Sequence, residues 1–461
     1  MTALPPQPLS PLDGRYRPAM GELGDFLSEA GLNRARIEVE IEWLIFQTDH
    51  GFFGTSPLSE GQRADLRAIV SSFGPEEIAE LAATEAVTKH DVKAIEYFVR
   101  ARLEPLGLSH LAELTHFACT SEDINNLSYA LTIRAATTQV WLPRLSRVID
   151  RLTELARRHR DVPMLSRTHG QPATPTTMGK ELAVFAYRLK RAQDAIQATE
   201  YLGKFSGATG TFAAHLVALP DQDWLALSKE FVAGLGLTHN PLTTQIESHD
   251  WQAELYGDIS RTNRILHNLA TDVWTYISLG YFRQIPEPGA TGSSTMPHKI
   301  NPIRFENAEA NLELSSAILD SLAATLVTSR LQRDLTDSSS QRNIGVGLGH
   351  SLLALDNLYR GLGDIDLNEE ALAADLDANW EILGEAIQTV IRGEVAAGTS
   401  SITDPYALLK DLTRGHRVGA RELAEFVDGL DISDEAKARL TALTPARYSG
   451  LASRLVDELD A

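Results

Sequence analysis

The sequence predicts an all-α protein built on long helices. Long stretches contain neither glycine nor proline, the residues that most readily break a helix, and they include 108–142, 258–279 and 303–344. In the last stretch, residues spaced by three or four positions form one helical face: Phe305, Ala308, Leu312, Ser316, Leu319, Ala323 and Leu326. Strand and helix patterns do not alternate along the chain, so an open parallel sheet is not expected.

A single helix over 303–344 would be a rod of roughly 60 Å, at about 1.5 Å per residue. Rods of this length usually bury their apolar faces against other long helices, in a bundle or an oligomer. The Pro- and Gly-containing segments 104–107 and 361–363 are the predicted domain boundaries. They give an amino-terminal domain 1–107, a central long-helix bundle 108–362 and a carboxy-terminal helical domain 363–461.

One segment has the periodicity of a strand. Over 34–43, the apolar residues Ala35, Ile37, Val39, Ile41 and Trp43 alternate with charged ones. Taken alone, this alternation predicts a half-buried β-strand.

The composition excludes several classes of protein. The 461 residues carry 42 Lys and Arg against 62 Asp and Glu, a net charge of −20, which argues against binding nucleic acid or an anionic membrane. A single cysteine, Cys119, excludes an intrachain disulfide framework and a multi-cysteine zinc site. The chain shows no signal-peptide pattern and no run of eighteen apolar residues, so the expected compartment is the cytoplasm.

The segment 284–302, QIPEPGATGSSTMPHKINP, differs most from its helical surroundings and directly precedes the longest predicted helix. A loop rich in Gly, Pro and Ser can expose backbone N–H groups and move as a lid, and the helix that follows favours an anion at its start. The alternative is a surface connector whose Ser and Asn side chains cap the helix.

A second candidate is 165–180, LSRTHGQPATPTTMGK, where Gly170 and Pro172 place His169 at a break and not within a helix. Histidine exchanges protons near neutral pH, so His169 is a candidate general acid or base. A lone histidine is more often structural, and this alternative applies equally to His90 and His116.

The third candidate is 330–342, RLQRDLTDSSSQR. On a continuing helix, Arg333, Ser338 and Arg342 would project to broadly one side, and two guanidinium groups with hydroxyls between them suit a phosphate. A solvated charged face is the alternative, and Asp334 and Asp337 would partly neutralise a phosphate site.

The remaining sequence patterns give weaker evidence for a functional site than these three segments. GVGLG at 345–349 follows a long helix where a dinucleotide-binding loop needs a strand, and neither GxxxxGK[ST] nor HExxH occurs. Cys119 could act as a nucleophile, but a buried thiol is more often a packing residue. No bound cofactor and no metal are expected.

GSSTMPHKINP at 292–302 resembles the signature loop of the fumarase/aspartase superfamily. Further segments resemble the adenylosuccinate lyase branch: DGRY at 13–16, HDVKAIEYF at 90–98, HFACTSEDINNLSYAL at 116–131, RTHGQPATP at 167–175, TTQIESHD at 243–250 and QRDLTDSS at 332–339. The resemblance is collinear from about residue 10 to about residue 458.

The resemblance implies an all-α fold of three domains, in which four subunits form a twenty-helix core and each active site combines segments of three subunits. It also implies that 34–43 is helical, against the periodicity. The expected partners are therefore a small nucleotide substrate and three further copies of the chain, with no cofactor.

The activity implied is a β-elimination that releases fumarate from adenylosuccinate and from the succinyl-carboxamide ribotide of purine synthesis. By resemblance, Ser293 is the base and His169 the acid. The alternatives are another fumarate-releasing lyase, acting on argininosuccinate, aspartate or malate, and a non-catalytic helical scaffold.

The resemblance also assigns the substrate-binding residues. Those matching positions that hold the succinyl part or the base are Thr120, Ser121, Thr168, Gln245, Lys299 and Asn301. Those matching the nucleotide side are Arg15, Tyr16, His90, Asp91, Arg333, Ser338 and Arg342, with Lys89, Ser294 and Asn307 completing the set. Lys89 stands where related bacterial sequences often carry Asn.

Overall fold

The structure is a computed structural model that describes residues 8–286, 296, 299–413 and 418–460, without the side chains of 411–413. Its described residues are predominantly helical, which confirms the predicted all-α class. The α-helices are α1 Arg17–Leu27, α2 Glu29–Asp49, α3 Glu60–Ser71, α4 Pro75–Thr88, α5 Asp91–Leu103, α6 Ser121–Ala135, α7 Leu142–Arg158, α8 Met178–Gln197, α9 Ala213–Ala218, α10 Trp224–Gly234, α11 Asp250–Ser278, α12 Ile303–Leu326, α13 Thr336–Gln341, α14 Ile344–Gly363, α15 Glu369–Asp377, α16 Gly384–Ala396, α17 Pro405–Thr413, α18 Ala420–Asp428, α19 Asp434–Thr441 and α20 Ala452–Leu455.

Shorter elements connect these helices. A π-helical segment, Ala136–Trp141, joins α6 to α7. The 3₁₀ segments are Phe52–Gly54, Ser109–Leu114, Trp380–Leu383, Pro445–Arg447 and Val456–Leu459. Within the described ranges, the strands form two-stranded pairs: β1 Pro163–Thr168 antiparallel to β2 Gln171–Thr177, β3 Leu202–Gly203 parallel to β4 Thr238–His239, and β5 Phe282–Gln284 antiparallel to β6 Ile365–Leu367.

The chain folds into two compact units. The first unit comprises Met1–Leu145, Ala192–Arg264 and Ala310–Asp356, and the second comprises Ser146–Arg191, Ile265–Glu309 and Asn357–Ala461. A core of the first unit contains the buried side chains of Ile41, Phe98 and Leu111. A core of the second contains Ile387 and Val427. The three-domain boundaries inferred from the sequence stay a prediction.

The strand predicted from the alternation over 34–43 is wrong, because these residues lie within helix α2. Ser28 is the N-cap residue of α2, and its side chain accepts from the Gly31 N–H at 3.1 Å. Charged residues of the alternating pattern, Arg36 and Glu40, are 2 % and 0 % exposed, like the apolar residues between them. A helix buried on almost every side shows no 3.6-residue pattern, so its periodicity misleads.

The single 60 Å rod predicted over 303–344 is also wrong. Helix α12 has 24 residues and ends at Leu326, and the longest described helix is α11, with 29 residues. In the connection, the Asp334 carboxylate accepts from the backbone N–H groups of Arg330 and Thr336, at 3.1 and 2.7 Å. Such bonds from side chain to backbone compete with helix formation, and here they hold a non-helical connection that contains neither Gly nor Pro.

The glycines of GVGLG lie inside α14 and permit close helix packing. A Cβ atom on Gly345 would lie 2.9 Å from the carbonyl oxygen of Leu27, and one on Gly349 would lie 3.0 Å from Leu12. Close packing accounts for these glycines, and their place within a helix agrees with the expectation that they do not form a dinucleotide-binding loop.

Candidate active site

In the first unit, the start of α6 carries two of the predicted site residues. Thr120 is the N-cap residue, and its backbone N–H donates to Oδ2 of Asp123 at 2.9 Å. Ser121 is the first helical residue, and both side chains are half-buried. The positive end of a helix therefore lies beside two hydroxyls, an arrangement that suits a carboxylate.

A buried ion pair fixes this helix start. Lys204 Nζ lies 2.8 Å from Oδ1 of Asp123, and both side chains are fully buried. Asp123 also accepts from the backbone N–H groups of Ser206 and Gly207, at 2.9 and 3.0 Å. The same carboxylate therefore connects α6 to the loop that follows β3.

That loop supports Gln245. Gln245 Nε2 donates to the carbonyl oxygen of Ala208 at 2.9 Å, and Gln245 Oε1 accepts from Arg333 at 3.3 Å. Arg333 lies in the connection before α13 and not on a continuous helix, and it also donates to Glu122 at 2.9 Å. Burial raises the pKa of the Glu122 carboxyl, although the Arg333 charge opposes this.

The predicted residues are joined by three that the sequence analysis missed, Arg36, Glu122 and Asn125. Asn125 donates to Glu122 at 2.8 Å and accepts from Nε of Arg36 at 2.9 Å. Arg36 also donates to Asp91 Oδ2 at 2.9 Å. A weak sequence signal was present for Arg36, which is one of the charged residues that alternate with apolar ones over 34–43, because a charge that becomes buried requires a partner.

Arg342 completes this network. Its guanidinium donates to Asp91 at 3.4 Å and to Glu29. Burial alone would raise the pKa of the Asp91 carboxyl, but the charges of Arg36 and Arg342 outweigh it and the pKa is lowered. Hydrogen bonds thus run continuously from Gln245 through the network to Arg342.

Lys89 and His90 form the connection between α4 and α5. His90 is the N-cap residue, and its Nδ1 accepts from the Lys93 N–H at 3.2 Å, so this nitrogen carries no proton. Lys89 ends α4 with φ of +56°, in the left-handed region. Asn tolerates this conformation better than most residues do, so the Asn expected here from the resemblance would fit the same turn.

The remaining predicted residues of the first unit are more dispersed. Exposed Arg15 has its guanidinium carbon 6.0 Å from the ring of Tyr16, the N-cap residue of α1. Half-buried Ser338 lies in α13. A cleft of about 800 Å³ opens beside Arg342 and is lined mostly by residues of 8–34, including Arg17 and Arg34. Three guanidinium groups therefore line one cleft.

In the second unit, His169 lies at the tip of the β1–β2 hairpin. Thr168 pairs with Gln171, and the two turn residues His169 and Gly170 have φ of 54° and 75°. Two positive φ values are typical of a tight hairpin turn, with Gly at the second position. Thr168 and His169 are exposed, and the expectation that His169 lies at a break and not within a helix is confirmed.

The signature segment is described only in part. Ser293 and Ser294 lie outside the described residues. Lys299 is exposed, and Asn301 precedes α12 with its carbonyl oxygen accepting from the Ile303 N–H at 2.9 Å. Asn307, in the second turn of α12, accepts from Asn357 at 3.0 Å. Lys299, Asn301 and Asn307 therefore lie in the same unit as His169.

Two other candidates lie in the loop before α6. Cys119 donates to the Phe117 carbonyl at 3.4 Å, and burial raises the pKa of its thiol well above the usual value, which disfavours a nucleophilic thiolate. His116 Nδ1 lies 2.6 Å from Oε1 of the buried Glu40, whose other oxygen accepts from the His116 backbone N–H at 2.9 Å. His116 is thus a structural partner of α2.

Within the residues that the structure describes, His, Cys, Asp and Glu side chains form no group of three or more suited to a metal ion. Within the same ranges, the helices lack the combination of length and apolarity that spanning a membrane requires.

Comparisons with known proteins identify the family. A family model described as lyase matches residues 58–314, and one described as adenylosuccinate lyase C-terminal matches 329–449. Adenylosuccinate lyase of Escherichia coli strain K12 is 48% identical over 98% of both chains. The Haemophilus influenzae and Vibrio cholerae adenylosuccinate lyases are each 46% identical over 98% of both chains.

Solved structures support the fold alone. A fumarate lyase from Mesorhizobium sp. BNC1 has a TM-score of 0.73 at 21% identity, covering 95% of this chain and 97% of that one. The 3-carboxy-cis,cis-muconate lactonizing enzyme from Pseudomonas putida has a TM-score of 0.71 at 20% identity, covering 95% of both. With full-length identities near one half and matches to both family models, the chain belongs to the adenylosuccinate lyase family.

Proposed function

We propose that this protein cleaves adenylosuccinate to AMP and fumarate, and the succinyl-carboxamide ribotide to its carboxamide and fumarate. The observation that carries the proposal is the hydrogen-bonded network that joins Gln245, Arg333, Asp91 and Arg342 in the first unit. Argininosuccinate, aspartate and malate have no phosphate for such a pair of guanidinium groups. The cytoplasm, expected from the sequence, is the proposed compartment.

The phosphate would replace the two carboxylates that Arg342 contacts, those of Glu29 and Asp91. A guanidinium donates two parallel hydrogen bonds to phosphate as readily as to carboxylate. The whole chain carries a net charge of −20, so attraction of an anionic substrate depends on local cations. Arg15, Lys299, Arg333 and Arg342 are the proposed set.

The elimination needs a base and an acid. The base removes the weakly acidic proton from the carbon beside a succinyl carboxylate, the electron pair forms the double bond of fumarate, and the carbon–nitrogen bond breaks. His169, exposed at the hairpin tip, is the proposed donor of a proton to the departing nitrogen. Ser293 is the proposed base, and a serine hydroxyl needs stabilisation of its alkoxide, for which Lys299 supplies a cation.

The succinyl group would be held by Thr120, Ser121 and Gln245 from the first unit and by Thr168, Lys299 and Asn301 from the second. The N-terminus of α6 supports this assignment, because it presents backbone donors and two hydroxyls to a carboxylate. His90, with its acceptor Nδ1 already bonded, would support the chemistry from the nucleotide side.

The proposal is tested by following fumarate release from adenylosuccinate, argininosuccinate, aspartate and malate with the purified protein. Turnover of adenylosuccinate and of the ribotide alone is the expected result. Cleavage of argininosuccinate, aspartate or malate in preference to both would refute the nucleotide assignment. No cleavage of any of them would favour a non-catalytic scaffold.

We further propose a homotetramer whose active sites are shared between subunits. Ser293→Ala and His169→Ala should each lower kcat by roughly 10²–10⁴-fold, the range typical of a lost general acid or base. After dissociation and reassembly together, the two inactive variants should regain activity, because some sites would receive an intact Ser293 and an intact His169 from different chains. No regained activity in confirmed mixed tetramers would argue against shared sites.

A further inference from the structure

One carboxylate ties the hairpin that carries His169 to helix α15. Arg167 lies two residues before His169, and its Nη2 donates to Oδ2 of Asp375 at 2.6 Å. The Tyr281 hydroxyl donates to the same oxygen. Arg167 and Asp375 are 29% and 23% exposed, so water screens this pair only in part. Two donors thus converge on one acceptor at the base of the hairpin tip.

The acceptor is itself held in place. Asp375 lies in α15, and Asn379 donates to its backbone carbonyl at 2.7 Å. The Tyr281 backbone N–H donates to the Tyr276 carbonyl, and its carbonyl accepts from Asn368, each at 2.8 Å. Burial and the Asp375 charge raise the pKa of Tyr281 to about 12, so its hydroxyl stays a neutral donor near pH 7.

The outer half of the hairpin needs such an anchor. Met164 and Leu165 of β1 are buried, but residues 167–171 are exposed, and the β1–β2 register is irregular between Met164 and Ser166. A two-stranded ribbon that is not packed on a face is marginally stable. His169 is exposed at the tip, so packing does not fix the direction of its side chain. A general acid must reach hydrogen-bonding distance of the atom it protonates, and a misplacement of about 1 Å can cost roughly 100-fold in rate.

We propose that Asp375 is a positioning residue for the proton donor: through Arg167 it fixes the direction in which the hairpin presents His169. Tyr281 holds the carboxylate oxygen towards Arg167. The inference rests on the proposed function, in which His169 protonates the departing nitrogen.

The test compares kcat and KM for adenylosuccinate in the full-length protein. Asp375→Ala should lower kcat by roughly 10- to 100-fold and raise KM much less, because Thr168 is the one residue assigned to hold the substrate that lies on this hairpin. Arg167→Lys keeps a cation for Asp375 and should retain more kcat than Arg167→Ala. In a His169→Ala background, Asp375→Ala should not lower the residual kcat further, because no donor remains to be positioned.

Asp457→Ala is the matched control. Asp457 lies in the same unit and pairs at 3.0 Å with Arg160, which lies just before β1. The Asp457→Ala variant should keep wild-type kcat and KM. If Asp375→Ala does not fold, Asp375→Asn keeps the shape, loses the charge and should show a smaller fall in kcat alone.

Two results would overturn the inference: a kcat within about twofold of wild type in both folded Asp375 variants, or a further loss in the His169→Ala background. If the wild-type protein cleaves adenylosuccinate and the His169→Ala variant does not, the proposed function is still supported under either of these results. Absence of cleavage by wild type would instead refute the proposed function itself.

Discussion

Replacing Asp123 by Asn should destabilise the first unit strongly. The change leaves the fully buried Lys204 ammonium without its anionic partner at 2.8 Å. It also puts an amide NH₂ where Asp123 now accepts from backbone donors of Thr120, Ser206 and Gly207. Removing one member of a buried ion pair costs about 3–5 kcal/mol, because the remaining charge is uncompensated.

The assay is thermal unfolding at fixed protein concentration, followed by circular dichroism. At about 2–4 °C per kcal/mol for a unit of this size, Tm should fall by roughly 6–20 °C. The double variant Asp123→Asn/Lys204→Met should lose less than the sum of the two single variants, because it removes both charges. Asp457→Asn, which breaks an exposed ion pair, is the control and should leave Tm unchanged.

A Tm for Asp123→Asn within about 2 °C of wild type would refute this reasoning. It would mean that Lys204 finds other partners or reaches water, and that the ion pair does not fix the start of α6. The positions of Thr120 and Ser121 would then need another explanation.

The remaining predictions concern pH and packing. Burial lowers the pKa of His116, but the hydrogen bond and charge of Glu40 outweigh burial and raise the pKa above 6.5. The charged pair therefore stabilises the fold fully below about pH 6.5, and this stabilisation is lost as pH rises through the raised pKa. In urea unfolding, the stability gap between wild type and His116→Gln should narrow from about pH 6 to pH 9, and a widening gap would contradict the assignment. Gly345→Ala should lower stability by about 1–3 kcal/mol, since its Cβ would lie 2.9 Å from a backbone oxygen. Gly393→Ala, where a Cβ meets nothing within 4 Å, should be neutral or stabilising, and equal behaviour of the two would refute the packing argument.

The helical class could be predicted from the sequence because Gly and Pro are absent from long stretches, but two elements show where patterns fail. Helix α2 is buried almost all round, so its alternating charges carry no information about an exposed face. The connection after α12 is made by bonds from Asp334 to backbone donors, which no count of Gly and Pro detects.

The candidate site, like the fold, could be predicted from the sequence only in part. Its motifs identified Gln245, Arg333 and Arg342, but no site role was assigned to the residues that join them, although Glu122 and Asn125 lie within the quoted segment 116–131. Arg36, for example, lies 89 residues before its partner Asn125, and only folding brings the two side chains together.

In the proposed mechanism, Arg342 would bind the nucleotide and His169 would transfer a proton. These two roles are separated by measuring kcat and KM for adenylosuccinate in Arg342→Ala and His169→Ala, with wild type alongside. Arg342→Ala should raise KM and largely keep kcat, because phosphate binding is largely uniform between the ground and transition states. His169→Ala should lower kcat roughly 10²–10⁴-fold and largely keep KM. A large fall in kcat with unchanged KM for Arg342→Ala, or near-normal kcat for His169→Ala, would rule out this division of roles.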